Sequence, residues 1–485
     1  MQRAVCPVAW RGDIVRRGVA GCGAMLAGAW PLGAHAHAFG ARYDLPLPLG
    51  LYLGAAGAAV AASFLLPLSL LRSPPPATAP QAETAPVRGW PVRALRVLAV
   101  ALLALLFACA LAGPASPTAN LATVFVWVLW WVGLGLVQAL LLDLWSLANP
   151  WYALAGVCAR VLPRPLPRPY PAWLACWPAV AGFALFAWLE LVSSVGEQPR
   201  ALAALIGAYT LLTLAGAWCF GRGAWFASAD SFAVLFATLG RMAPLVVEGA
   251  RLRARLPGAG LLVHTPVPAS LGVLVLMLLA TVFFDGFRET TTWAAVLDAV
   301  AASALLRAPL LALQGSGLDL LVLVESAGLA LSVLLFASAF IAVAALVDRA
   351  SGRPAGLRRC AGSFVLTLVP IAIAYHLAHY LSYLLIAGQL AIPLASDPFA
   401  RGWDLFGTAG YSIDIAIVDA RFVWYAAVAS IVAGHALAVF LAHAMALRLY
   451  REPVPALRSQ LPMLALMVGY TMSSLWILSQ PIVVS

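Results

Sequence analysis

Apolar residues in this chain come in long unbroken runs, not in the alternating or one-faced patterns of soluble strands and helices. Ten such runs lie near 49–71, 97–113, 122–143, 171–192, 201–220, 268–284, 319–347, 362–386, 421–447 and 461–480. As α-helices rising 1.5 Å per residue, runs of this length cross a hydrocarbon layer roughly 30 Å thick; the second is the shortest, at 17 residues. The pattern predicts an all-α fold, a polytopic transmembrane helix bundle of about ten spans occupying residues 49–485.

Four segments depart from it. Residues 144–168 end in an alternation of Pro with Arg164 and Arg168 and read as a stiff spacer. Residues 224–255 are amphipathic, with Arg241, Glu248 and Arg251 among apolar neighbours, and 291–315 form a similar stretch at the opposite end of the bundle. The segment 73–89, rich in Pro, Ala and Thr, reads as a flexible linker. No internal repeat is visible, which weakens an inverted-repeat transporter reading.

Ahead of the first span, Arg3, Arg11, Arg16 and Arg17 precede a modest apolar core over 19–32, followed by Ala34-His35-Ala36. That order predicts a signal peptide over 1–36 cleaved after Ala36, leaving an exported segment, 37–48, that starts at His37. A terminal histidine carries an α-amine and an imidazole together, two nitrogen donors suited to copper or a similar metal.

Composition agrees with the spans: 63% of the 485 residues are hydrophobic and 10% charged, with a mean hydropathy of +0.94. All 29 basic residues are arginine. The absence of lysine excludes a Schiff-base amine and a P-loop. A net charge of +10 raises nucleic acid as a partner, but the arginines form no stripe; they sit in short loops between spans. Nineteen of them, from Arg72 to Arg458, fall in one set of loops, against six in the other: Arg42, Arg200, Arg288, Arg307, Arg401 and Arg421. The positive-inside rule makes the first set cytoplasmic. The chain is therefore expected in the bacterial inner membrane, with both mature termini periplasmic and the lipid bilayer as its main partner. The seven cysteines form no C-x-x-C pair, and no structural disulfide is expected.

Ionisable groups within spans are costly, so each is a functional candidate. Tyr375-His376-Leu377-Ala378-His379-Tyr380 places two imidazoles three residues apart on one helix face. Asp285 ends the sixth span, Glu190 the fourth, and Glu325 lies within the seventh; Asp397, Trp403, Asp404, Asp414 and Asp419 follow the eighth. Twelve of the nineteen carboxylates gather on this arginine-poor side. Imidazole with carboxylate is the donor set of zinc, copper, iron or manganese sites, and such a metal makes hydroxide available near neutral pH. The competing reading is helix capping and ion pairing, for example Asp285 with Arg288. His435 reads as a hydrogen-bonded residue within the bundle, and His264 as a loop residue. No G-x-S-x-G, H-E-x-x-H or Cys–His protease pattern occurs.

Several stretches together resemble the fenitrothion hydrolase family of bacterial membrane proteins. They begin at His37-Ala38-Phe39-Gly40-Ala41-Arg42-Tyr43-Asp44-Leu45-Pro46, with Ala38 where the family carries Gly. Asn149-Pro150-Trp151, Tyr170-Pro171, Phe186-Ala187-Trp188-Leu189-Glu190 and Phe284-Asp285-Gly286-Phe287 follow, then Ala378-His379-Tyr380 and Ser396-Asp397-Pro398 through Asp404-Leu405-Phe406-Gly407. The resemblance covers most of the chain. It implies hydrolysis of an aryl phosphorothioate triester with release of a nitrophenol, and it carries no assigned catalytic residues.

The leading expectation is thus an outward-facing site. His37, His376, His379 and Glu190 hold a divalent copper or zinc ion, Asp285 and Asp404 act as ligand or general base, and Trp403 and Tyr380 hold the substrate. Two alternatives stand beside it: a metal-handling or small-molecule transport protein, and a non-catalytic subunit docking with other membrane subunits.

Overall fold

A computed structural model describes residues 48–65, 82–86, 89–162, 168–248, 251–352 and 355–480. The chain opens with helix α1 (Leu49–Ser63), strand β1 (Ala82–Pro86), and helices α2 (Trp90–Ala112), α3 (Leu121–Leu140) and α4 (Pro150–Val161). Next come α5 (Ala172–Leu191), α6 (Pro199–Phe220), α7 (Arg222–Ser228) and α8 (Ser231–Gly240), then strands β2 (Leu245–Glu248) and β3 (Arg251–Ala254). The remainder is helical: α9 (Ala269–Arg288), α10 (Thr291–Ala302), α11 (Ala304–Gly315), α12 (Leu320–Ala350), α13 (Leu357–Ser396), α14 (Ala420–Tyr450) and α15 (Pro453–Leu478).

Among the described residues nine helices, α2, α3, α5, α6, α9 and α12 to α15, are long and apolar enough to cross a membrane. They match nine of the ten apolar runs, and the chain is a multi-pass, all-α membrane protein. The first run appears as α1, 15 residues long and without a charged side chain; its continuation lies outside the described residues, as do the leader, His37 and most of the linker. The second span is longer than the apolar run suggests, 23 residues from Trp90, with Pro91 in the first turn. Arg93 and Arg96 lie inside its start, because a long guanidinium side chain reaches back to the polar boundary.

The loops of the arginine-rich set meet at one end of the bundle. Arg96 Nε donates to the Leu147 carbonyl (3.2 Å), Arg222 lies over the Tyr152 ring (4.2 Å), Arg168 N–H donates to the Cys219 carbonyl (3.1 Å), and Arg448 donates to the Leu262 carbonyl (2.7 Å). At the same end a three-stranded antiparallel sheet forms in the order β1–β3–β2. Ala82 and Leu245 both pair with Ala254, and Pro86 and Glu248 with Arg251.

One expectation is corrected here: the linker 73–89 contributes a strand. The amphipathic stretch 224–255 divides into helices and strands: α7 and α8 meet at a 66° bend, and β2 and β3 pair as a hairpin. Pro244 bars continuation of α8, and Arg255 seals its end by donating to the carbonyls of Gly240 (2.7 Å), Arg241 (3.0 Å) and Ala243 (3.0 Å). The stretch 291–315 forms two helices, with a bend of 85° between α10 and α11.

The centre of the bundle is α9 and α13, in each of which 78% of the apolar window is buried, against 17% for α2. α13 packs along α14 at unusually close range. A Cβ at Gly434 would lie 2.3 Å from Ala374 Cβ and 2.8 Å from the Pro370 carbonyl oxygen, so the crossing requires glycine. Close approach at small residues is how membrane helices gain packing when lipid supplies no hydrophobic drive.

Candidate functional site

The last turn of α9 places Asp285 and Arg288 three residues apart on one face, where Arg288 Nε lies 3.3 Å from Asp285 Oδ1. The same guanidinium donates through Nη1 to the Leu191 carbonyl at the end of α5, tying the two helix ends together. Opposite them, α13 presents Tyr375, His376, His379 and Tyr380. His379 Nε2 lies 2.9 Å from Asp285 Oδ2, and the Tyr380 hydroxyl donates to the same oxygen at 2.7 Å. The Asp285 side chain is 2% exposed and that of His379 9%. A carboxylate in such surroundings needs paired charge and several donors, and it has both. An ionised carboxylate only accepts, so it fixes the His379 proton on Nε2.

A second set of ionisable groups surrounds this pair. Glu190, one residue before the anchored Leu191, lies within electrostatic reach of Asp285, Arg288, Tyr380 and Tyr383. Glu325 on α12 acts in the same way on Arg288, and Glu289 lies 3.6 Å from its Nε. Beside Glu190 stands Trp131, on a ten-residue π-helical stretch, Phe125–Leu134, inside α3. π-helical turns are rare and concentrate at functional sites.

His376 turns away from its neighbour. Its ring meets Trp131 edge-on (5.4 Å) and Tyr380 (4.8 Å), while His379 packs on Tyr380 from its own side (4.6 Å). Its buried Nε2 has no hydrogen-bond partner among the described residues and lies 3.8 Å from where a Cβ on Gly135 would be. Of the expected ligands, His37 lies outside the described residues, Glu190 lies beside Asp285, His379 is engaged by Asp285, and His376 points to α3. Among the described residues no three His, Cys, Asp or Glu side chains are grouped to hold a metal ion.

Asp404 and Trp403 belong to a separate, self-bonded loop. Ser396 Oγ accepts from the backbone N–H of Phe406 (3.2 Å) and Thr408 (3.3 Å), and Asp404 accepts from Ala409 N–H (2.9 Å). Asp397 accepts from Arg401 N–H (2.8 Å) and Gly402 N–H (2.7 Å). Against slight desolvation, these donors and the backbone of Trp403 and Phe399 hold its carboxyl below the usual carboxylate value. Trp403 is 40% exposed, packs on Phe399 and has the Arg401 guanidinium over its ring at 5.8 Å. Asp319 and Asp419 cap α12 and α14, the structural use weighed above for outer carboxylates. His435 bonds within the bundle as expected, Nδ1 to the Ile431 carbonyl at 2.8 Å.

Three short motifs read separately from the sequence thus meet in space: those ending in Glu190, holding Asp285 and Gly286, and holding His379 and Tyr380. Others are architectural. Asn149 caps α4, and Trp151 Nε1 donates to Thr210 Oγ1 at 2.9 Å. Sequence reasoning missed Trp131 and Tyr375, which read as ordinary apolar aromatics. It also missed Asp230, buried at the bend between α7 and α8, where it accepts from Tyr209 (2.8 Å), Thr213 (3.0 Å) and Ala233 N–H (2.8 Å). A lone carboxylate inside an apolar stretch was the available signal.

Comparison with protein-family models, with curated proteins and with solved structures finds no match for this chain.

Proposed function

We propose that this protein is a membrane-embedded hydrolase of uncharged, lipid-soluble triesters, working at the periplasmic side of a bacterial inner membrane. The observation that carries the reading is the buried His379–Asp285 pair, 2.9 Å apart. The orientation follows from the arginine-poor loops around it, and the substrate class from the resemblance to fenitrothion hydrolases. A neutral aryl phosphorothioate triester partitions into the bilayer, where a site walled by apolar helices meets it directly. In the proposed step Asp285 holds the imidazole with its proton on Nε2, and Nδ1 takes a proton from water as the water oxygen bonds to phosphorus. The phosphorus–oxygen bond to the aryl group breaks, the aryl oxide leaves with the electron pair, and it receives the proton back as a nitrophenol. Arg288 and Tyr380 stabilise Asp285 through the cycle.

The test is nitrophenol release from fenitrothion by the full chain in lipid nanodiscs. A positioned general base contributes about 10²–10⁴-fold, so His379→Ala and Asp285→Asn are expected to lose activity on that scale. Wild-type turnover in folded His379→Ala protein would overturn the reading. A second reading, proton-coupled small-molecule transport, is favoured by one observation: Glu190, Asp285, Glu325 and His379 come from four different membrane-spanning helices. Proton uptake into proteoliposomes in the presence of candidate solutes, abolished in Asp285→Asn, would select it.

A further inference from the structure

Beside the His379–Asp285 pair, a crevice opens between α9, α12, α13 and α15, lined by Phe283, Phe336, Ile371, Tyr375, Tyr470 and Ser474. We propose that this crevice binds the substrate: an uncharged lipophile with an aromatic ring and an oxygen acceptor, held by the hydroxyls of Tyr375 and Tyr470. The proposal rests on the hydrolase reading for the identity of its probe.

Two independent observations point to a ligand. First, the hydroxyls of Tyr375 and Tyr470 are both buried and both without a hydrogen-bond partner among the described residues, and both residues line this crevice. Buried donors are rarely left so. Serine and threonine on the same helix satisfy themselves locally, as Thr471 does on the Met467 carbonyl (2.9 Å); a tyrosine hydroxyl stands too far from its own helix to do this. Second, the walls suit an aryl ring. Phe336 stacks on Tyr470 at 5.1 Å, and Phe283 meets Phe336 edge-on at 5.1 Å. No charged side chain lines the crevice, so an ionic ligand would lose its hydration without recompense.

The geometry also joins the crevice to the reacting pair. Tyr375 precedes His379 by one helical turn, and their rings are 6.1 Å apart. Both reach α9 at Gly286, the residue after Asp285. A Cβ there would lie 3.0 Å from Tyr375 Oη, 3.5 Å from His379 Cε1 and 2.7 Å from Ile477 Cγ2. Glycine leaves bare backbone where the crevice donor and the imidazole come together. In the present form the inner crevice has room for about one water, so admitting a ring requires its walls to part.

The experiment measures equilibrium binding of radiolabelled fenitrothion to nanodiscs carrying the full-length Asp285→Asn protein, corrected for empty nanodiscs, with KM followed in the otherwise wild-type chain. Loss of one hydrogen bond weakens binding about fivefold to tenfold, expected for Tyr375→Phe and for Tyr470→Phe. Both variants keep the ring and its packing, and unchanged unfolding midpoints verify that they fold. Weaker binding in both, with no hydrolysis by any form, supports the crevice and rejects the hydrolase reading. Hydrolysis that depends on His379, with affinity and KM unchanged in both tyrosine variants, overturns the crevice and leaves the hydrolase reading standing. Absence of saturable binding above empty nanodiscs also overturns it.

Discussion

Replacing Asp285 by alanine removes one carboxylate on which three groups depend: His379 at 2.9 Å, Tyr380 at 2.7 Å and Arg288 at 3.3 Å. A hydrogen bond to a charged group contributes about 1.5–3 kcal/mol, and breaking a buried ion pair costs about 3–5 kcal/mol. Arg288 is 20% exposed and keeps Glu289 at 3.6 Å, which offsets part of the loss. The expected destabilisation of Asp285→Ala is therefore about 4 kcal/mol, and that of Asp285→Asn, which keeps one acceptor oxygen, about 2 kcal/mol. Reversible unfolding in mixed detergent micelles, followed by tryptophan fluorescence, reads both. A double-mutant cycle with His379→Ala isolates the pair. Neutral hydrogen bonds between membrane helices average about 0.6 kcal/mol, so a coupling of about 1.5 kcal/mol or more marks a charged partner. Additive single variants, or an Asp285→Ala protein within about 0.5 kcal/mol of wild type, would refute the argument that this carboxylate holds the site together.

Gly434→Ala should part α13 and α14, because the added methyl meets Ala374 at 2.3 Å and the Pro370 carbonyl at 2.8 Å. The expected cost is about 1–3 kcal/mol in the same unfolding assay, and a stable variant would show that the crossing is looser. Asp230→Ala strands the hydroxyls of Tyr209 and Thr213 and uncaps α8, at a cost of about 2–4 kcal/mol. Protease sensitivity within 222–240 reports it, and unchanged resistance counts against the role. The Asp397 carboxyl sits below its usual value in the folded loop, so its contribution is complete above the unfolded value and is lost as pH falls through the folded one. Amide exchange at Arg401 and Gly402 should accelerate over that acidic range, and at neutral pH in Asp397→Asn; protection that persists in both would refute it.

Much of this was legible in the sequence because membrane burial writes itself into composition. Apolar runs marked the spans, and arginine sorted the loops into sets that do meet, as Arg96 with Leu147 and Arg448 with Leu262 show. Ionisable residues inside such runs stand out, so Glu190, Asp285, His379 and Tyr380 were visible as candidates and prove to be neighbours. Direction was not visible. His376 and His379 share a helix face by spacing, yet the packing partners, Trp131 for one and Asp285 for the other, decide where each ring goes. Aromatics such as Tyr375 and Trp131 hide in apolar runs because only their context makes their polar atoms matter. The sheet was hidden for another reason. β1 lies in a Pro- and Ala-rich stretch with no strand periodicity, and its pairing is carried by backbone groups.

That sheet has a consequence for synthesis. Among the described residues β1 pairs with β3, across about 165 intervening residues between Pro86 and Arg251. Ribosomes add roughly 5–20 residues per second, so β1 waits roughly 10–30 s for its partner while α2 to α8 are made. Until then β1 has an unpaired edge, open to association with another chain. Its closure staples the chain ahead of α2 to the chain ahead of α9, so a cut in the peptide between them would leave two pieces still clasped.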